Sequence, residues 1–181
     1  QDVVSALQVP PHDNSSMDGY AVRAADVAAA GAELPVSQRI AAGQSGTPLA
    51  ARSAARIFTG APMPAGADAV VMQEDTQALD GGARVRINAV PTAGQWVRAA
   101  GEDVTRGAAV LSKGERLAPA SIGLAAGIGL AELTVAARPR VALFSTGDEL
   151  VMPGSVPPAQ MKPGAIYNSN RYFLRALLMR L

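Results

Sequence analysis

Four short stretches carry the side chains best suited to chemistry. In Arg138–Gly154 (RPRVALFSTGDELVMPG), the apolar run Val141–Phe144 stops abruptly at Ser145, Thr146, Gly147, Asp148 and Glu149. Bounded by Pro139 and a polar turn, that run predicts a strand buried on both faces, as in a parallel sheet covered by helices. Hydroxyls, a glycine and two adjacent acids would then sit beyond the strand's carboxyl end, the rim where open α/β sheets bind ligands. Gly147 would let backbone N–H groups close on an anion. Asp18 stands beside Gly19 at the end of the polar cluster His12–Asp18, and Thr59 precedes Gly60 after the strand-like Ile57-Phe58. Asp103 lies in Gly101-Glu102-Asp103-Val104. Taken singly, each also reads as an ordinary turn: an Asp-Gly corner, a turn-capping threonine, a Thr-Gly-Asp bend.

Composition removes several alternatives. The 181 residues include no Cys and one His, so disulfides, thiolate zinc sites and cysteine nucleophiles are excluded, and His12 has no second imidazole for a metal. No G-x-S-x-G, G-x-x-x-x-G-K-[ST] or G-x-G-x-x-G pattern occurs. Net charge is +1 without a Lys/Arg-rich run, so nucleic acid and anionic membrane are not expected partners. No apolar run approaches the ~20 residues of a membrane span, and a soluble, cytoplasmic protein is the default expectation. Aromatic residues make up only 4%, so the core must be built from Ala, Val, Leu and Ile.

The elements that must position these residues follow from the pattern. Pro10-Pro11 ends a weakly amphipathic start, too short to stand alone as a helix. Leu34–Val36 and Arg39–Gly43 predict short strands, as do Ile57-Phe58 and Ala69–Met72. Ala83–Val90 alternates like a half-exposed antiparallel strand, with Gly81-Gly82 as its hairpin turn. Further short strands are expected at Trp96–Arg98, Val110-Leu111, Arg116-Leu117 and Glu132–Val135. Pro119 opens a helix to Ile128, with Gly129 beyond its end. Ser169 or Asn170 is expected to cap a last helix whose Leu174, Leu177, Leu178 and Leu181 share one face. The sequence stops inside that helix, and one strand with one helix cannot make a covered sheet, so the chain is expected to be part of a longer polypeptide.

Four phrases occur in this order: NSSMDGYAV (14–22), RIFTGAPMPAGADAVVMQED (56–75), GEDV (101–104) with Val97-Arg98 upstream, and RVALFSTGDEL (140–150) followed by IYNSN (166–170). Together they resemble molybdopterin molybdenumtransferases, a family that includes the E domain of gephyrin, and the resemblance covers essentially the whole chain. It implies a transferase that inserts molybdenum from molybdate into adenylylated molybdopterin and releases AMP, with Mg²⁺ as cofactor. It assigns catalytic roles to Asp18, Thr59, Asp103 and Glu149, with Thr59 donating to an oxyanion. Thr146, Gly147 and, more weakly, Asp148 fall at the cofactor-binding strand end. Asp18, Asp103 and Glu149 are the implied metal region, because acids facing two anionic substrates make sense chiefly with a cation present.

The resemblance also implies a mixed α/β multidomain architecture. Residues 28–104 would form a β-rich lid module, 1–27 and 105–137 a linker domain, and 138–181 the first part of a three-layer α/β molybdopterin-binding domain. It implies a homodimer whose cleft joins the α/β domain of one subunit to the lid of the other, with molybdopterin adenylyltransferase as upstream partner. The sequence departs from the family in lacking the later glycine-rich and lysine-bearing loops; Lys113 and Lys162 are its only lysines. Residues 1–181 by themselves are therefore expected to be inactive. The alternative from another class is a non-catalytic dimeric scaffold that binds partner peptides, as the gephyrin module does.

Overall fold

The strand-forming segments between Gly19 and Ile87 assemble into one six-stranded sheet. In the computed structural model, which describes residues 1–180, the strands are β1 (Val3–Val4), β2 (Asn14–Ser15), β3 (Gly19–Val22), β4 (Ala32–Ile40), β5 (Ala54–Ile57), β6 (Ala69–Met72), β7 (Thr76–Leu79), β8 (Arg84–Ile87), β9 (Val97–Arg98), β10 (Ala109–Leu111), β11 (Leu150–Val151) and β12 (Ile166–Tyr167). The helices are α1 (Pro119–Gly127) and α2 (Ser169–Leu178). The main sheet runs β6-β3-β5-β4-β8-β7, antiparallel except for the parallel pair β4–β5. The architecture is mixed α/β with a curled sheet. The chain divides into two units, Gln1–Leu133 and Thr134–Leu181.

Curling follows from how β4 is shared. Its first residues, Ala32–Pro35, pair with β8, and Val36–Ile40 pair with β5 across a bulge. Pro35 falls where the strand changes partner, a position at which a missing backbone donor is tolerated. The two short strands expected at 34–36 and 39–43 are thus one nine-residue strand. Alternate side chains fill both faces. Tyr20, Val22, Leu34, Val71, Val85 and Ile87 form one buried cluster, and Ala21, Ile40, Leu49, Ile57 and Val70 the other. Each fully buried Val or Ile contributes about 1.5–3 kcal/mol by leaving water, and alanines at 21, 54, 55, 61 and 69 let the layers approach.

Gly19 is essential to that packing for a steric reason. It is the first residue of β3 and is buried; a Cβ there would collide with the Val71 carbonyl oxygen on β6. The Asp18-Gly19 pair is therefore no hairpin corner but a strand entry. The expected glycine hairpin does form at Asp80–Gly82 between β7 and β8. Beneath β8, Glu33 on β4 meets Arg84 and Arg86.

Around the sheet, β1 pairs with β10 and β2 pairs with β9, both antiparallel. Gly19–Val22, grouped with the linker segment by the sequence reading, is hydrogen-bonded inside the main sheet. α1 opens on Pro119, and Ser121 Oγ accepts the Ala118 N–H. No strand forms at 116–117 or 132–135.

In the second unit, β11 and β12 pair in parallel, and α2 begins a residue or two earlier than expected. Asn168, not Ser169 or Asn170, caps it by accepting the Arg171 N–H at 3.1 Å. The buried strand expected at Val141–Phe144 is absent: the segment pairs with nothing among the described residues, with Val141 57% and Phe144 83% exposed. A strand is held by a hydrogen-bonded neighbour, and no segment among the described residues pairs with this one. Tyr172, Phe173 and Leu174 on α2 are likewise exposed. No helix among the described residues is long and apolar enough to cross a membrane.

Candidate functional site

Two of the expected residues meet directly. Antiparallel pairing of β3 with β5 sets the entry of one strand beside the exit of the other, with Gly19 opposite Ile57. Asp18 precedes β3 and Thr59 follows β5 by two residues. Asp18 Oδ1 accepts both the Thr59 backbone N–H and the Thr59 hydroxyl, each at 2.8 Å. The backbone bond, then the hydroxyl bond, and more weakly the nearby Arg56 charge hold the Asp18 carboxyl below its usual range. Oδ2 takes no hydrogen bond from the described residues. The peptide linking Asp18 to the sheet is also fixed: the Asp18 carbonyl accepts Gln73 N–H at 3.0 Å, and the Gly19 carbonyl accepts Arg56 Nη1 at 2.7 Å.

The loop before Asp18 brings the third residue into the same region. Ser15 exchanges backbone hydrogen bonds with Gly60 and Ala61 on one side, and β2 pairs with β9 on the other, Asn14 opposite Arg98. Arg98 in turn holds Asp103, its Nη2 lying 2.7 Å from both carboxylate oxygens. That hydrogen bond and Asp103's charge, with Glu102 behind them, raise the Arg98 pKa further above its usual high value. Asp13 steadies the turn by accepting Ala100 N–H at 2.8 Å, and Val9 accepts the Asp103 N–H at 2.9 Å. Asp103 is thus an exposed acid already neutralised by one arginine.

Glu149 and its neighbours belong to the second unit. Thr146, Gly147, Asp148 and Glu149 are all exposed and lead into β11. Gly147 has φ +147°, and a Cβ on it would meet the two Glu149 carboxylate oxygens at 2.5 and 2.7 Å. Glycine is what lets the Glu149 side chain fold back over the turn. The Glu149 backbone carbonyl accepts Ile166 N–H at 2.8 Å, anchoring the turn to β12. Asp148 and Glu149 line a cleft of about 530 Å³ with Gln160, Met161 and Lys162.

Among the described residues, no three His, Asp or Glu side chains converge as metal ligands. Of the acids expected in the metal region, Asp18 keeps Oδ2 open among the described residues, Asp103 is held by Arg98, and Glu149 belongs to the second unit. Mg²⁺ is commonly held by one or two carboxylates with the rest of its shell from water and substrate phosphates. The donor set fits an ion carried on substrate oxygens, with Asp18 as the carboxylate that would meet it. Sequence reasoning missed Arg56 and Arg98. Both sit inside the quoted phrases, but an arginine's partner depends on strand register.

Comparison with known proteins bears on what this arrangement belongs to. The family model described as the MoeA N-terminal region (domain I and II) matches residues 1–129. Molybdopterin molybdenumtransferase 2 of Mycobacterium tuberculosis (strain ATCC 25618 / H37Rv) is 47% identical over 181 residues, covering 97% of this chain and 43% of that protein. The molybdopterin molybdenumtransferase of Haemophilus influenzae is 38% identical, covering 100% of this chain and 44% of that protein. A solved structure of a molybdopterin biosynthesis MoeA protein from Pyrococcus horikoshii superposes with a TM-score of 0.88 at 31% identity, covering 99% of this chain and 48% of that one. The chain spans less than half the length of the curated relatives it matches. By the match over residues 1–129 and the shared fold, this chain belongs to the MoeA family through its N-terminal region.

Proposed function

We propose that this chain forms the N-terminal part of a molybdopterin molybdenumtransferase, which inserts molybdenum from molybdate into adenylylated molybdopterin and releases AMP. The observation that carries the reading is the Asp18–Thr59 pair: an ionised carboxylate oriented by two donors, with one oxygen left open. Releasing AMP breaks a phosphoanhydride P–O bond and builds negative charge on phosphate oxygens, which positioned donors and a divalent cation stabilise. Mg²⁺, when bound, supplies that neutralisation. Asp18 would orient it, and Thr59 would keep Asp18 ionised and aimed. Glu149, with Thr146, Gly147 and Asp148, would serve the same substrate from the α/β part.

The remaining architecture is part of the proposal. Residues 28–104, with β3 added, act as the lid; the rest of 1–27, with 105–137, acts as the linker domain; 138–181 begin the three-layer α/β domain. The protein works as a cytoplasmic homodimer, receiving substrate from molybdopterin adenylyltransferase, and residues 1–181 alone are inactive.

The test is molybdate-dependent AMP release by the complete polypeptide, comparing wild type with Asp18→Asn and Glu149→Gln at matched melting temperature. A loss of about 100-fold supports the reading; turnover at the wild-type rate refutes it. One observation favours the second reading, a peptide-binding scaffold: Asp103 is already tied to Arg98 as a structural clamp would be. A scaffold retains partner binding in Glu149→Gln and shows no AMP release in any variant.

A further inference from the structure

A groove of about 550 Å³ opens on the main sheet, and Phe58 in its wall directly precedes Thr59. Its walls include Tyr20, Gln38, Arg39, Arg56, Phe58 and Gly81. Strand register creates the cluster: Arg56 on β5 lies opposite Tyr20 on β3 and Arg39 on β4. Phe58, two residues beyond Arg56, falls on the same side. The Arg39 and Arg56 guanidinium carbons lie 4.7 and 4.5 Å from the Phe58 ring centroid, and Arg56 is also 5.2 Å from the Tyr20 ring.

The charges in this groove are poorly compensated. Arg56 donates to the Gly19 carbonyl, to the Ile57 carbonyl and to Gln73 Oε1, all neutral acceptors, and the acid acting on it from nearby is Asp18. Arg39 is exposed and makes neither an ion pair nor a hydrogen bond among the described residues. Elsewhere on this sheet arginines are neutralised: Arg84 and Arg86 share Glu33. Two guanidiniums drawn to one aromatic ring repel each other, and an anion accepting from both relieves that repulsion. Planar N–H forks held against rings are well suited to tetrahedral oxyanions, because little side-chain freedom is lost on binding.

We infer that Arg39 and Arg56, braced on Phe58, form a binding subsite for a tetrahedral oxyanion, either a phosphoryl group or a metal oxyanion such as molybdate. The inference deepens the proposed function and rests on it for the identity of the physiological anion; the binding itself does not. Thr59 directly follows Phe58, so an anion held there lies at the same end of the sheet as the Asp18 carboxylate.

The test is calorimetric titration of the protein with inorganic phosphate, AMP and molybdate at constant ionic strength. Saturable binding of at least one is expected, weakened about tenfold in Arg39→Gln, as for loss of one charged hydrogen-bonding partner. Arg84→Gln, whose guanidinium already serves Glu33, should bind as wild type does. Arg39 is exposed, so its replacement leaves the core intact even where Arg56→Lys unfolds the sheet. Tighter binding of AMP than of molybdate identifies a phosphoester site, and the reverse order identifies a metal-oxyanion site. No saturable binding, or equal loss in Arg84→Gln and Arg39→Gln, overturns the inference. If phosphate binds as described but the complete polypeptide releases no AMP, the functional reading fails and the subsite stands. If AMP release is normal and Arg39→Gln alters no affinity, the subsite fails and the functional reading stands.

Discussion

Asp18 Oδ1 receives the backbone N–H and the hydroxyl of Thr59 at equal distances of 2.8 Å, so one carboxylate oxygen ties the entry of β3 to the exit of β5. The same arrangement orients the carboxylate and favours its charged form. Structure and candidate chemistry are therefore tested by the same substitutions.

The pH dependence of stability has a definite sign. Because Thr59 and then Arg56 lower the Asp18 pKa in the folded protein, its contribution is fully present above the unfolded carboxyl value of about 4. It is lost as pH falls through the lower folded value. Melting curves of wild type and Asp18→Asn between neutral and acid pH should differ most near neutrality and converge in acid. Curves separated by a constant gap would contradict the assignment.

Gly19→Ala is expected to destabilise the first unit by about 1–3 kcal/mol or more, the range for overpacking a tight site. The added methyl meets a backbone carbonyl on Val71, which cannot rotate away as a side chain would. Chemical denaturation measures the change. Gly60→Ala is a useful comparison, because a Cβ at Gly60 meets nothing nearby and its cost arises from φ +79° alone.

Arg98→Ala should separate the two roles open to Asp103. The pair is solvent-exposed on both sides, so the melting temperature should fall only slightly. If Asp103 acts through its charge on a cation, freeing it from Arg98 should raise Mg²⁺ affinity, read by titration of the metal alone. An unchanged or weaker affinity would mark Asp103 as a structural partner only.

Glu33→Gln should lower the melting temperature and flatten its salt dependence. The Arg86 hydrogen bond first, with the charges of Arg84 and Arg86, lowers the Glu33 pKa. Acidification below the usual carboxylate range should therefore erase the difference between wild type and variant. A difference that persists in acid would locate the effect elsewhere.

The residues of the candidate site could be picked out before the fold, but not their partners. Asp18, Thr59, Asp103 and Glu149 stand out because acids and hydroxyls beside glycines at strand ends are local features of the chain. Of these, Asp18 and Thr59 proved to be in contact across 41 positions of sequence. What stayed hidden was compensation. Nothing in the phrase GEDV tells that Asp103 is paired with Arg98, and nothing in Arg39 tells that it lacks an acceptor among the described residues.

The failures of the strand reading share one cause. Val141–Phe144 has the composition of a buried strand, yet it is unpaired, because a ladder needs a partner and composition names none. β4 shows the reverse: Pro35 interrupts the local pattern, but changing partner from β8 to β5 lets one strand run through it.

The sequence by itself determined the family, the order of its phrases and the apolar segments that must leave water, since these depend on residue types along the chain. Tertiary structure alone decided that Gly19 is a packing glycine, that Asp18 answers to Thr59, and that Arg56, Tyr20 and Arg39 stand in one row. The physical reason is register. Hydrogen-bonded pairing of strands distant in sequence fixes which side chains share a face, and a slip of one residue would send each of them to the other side.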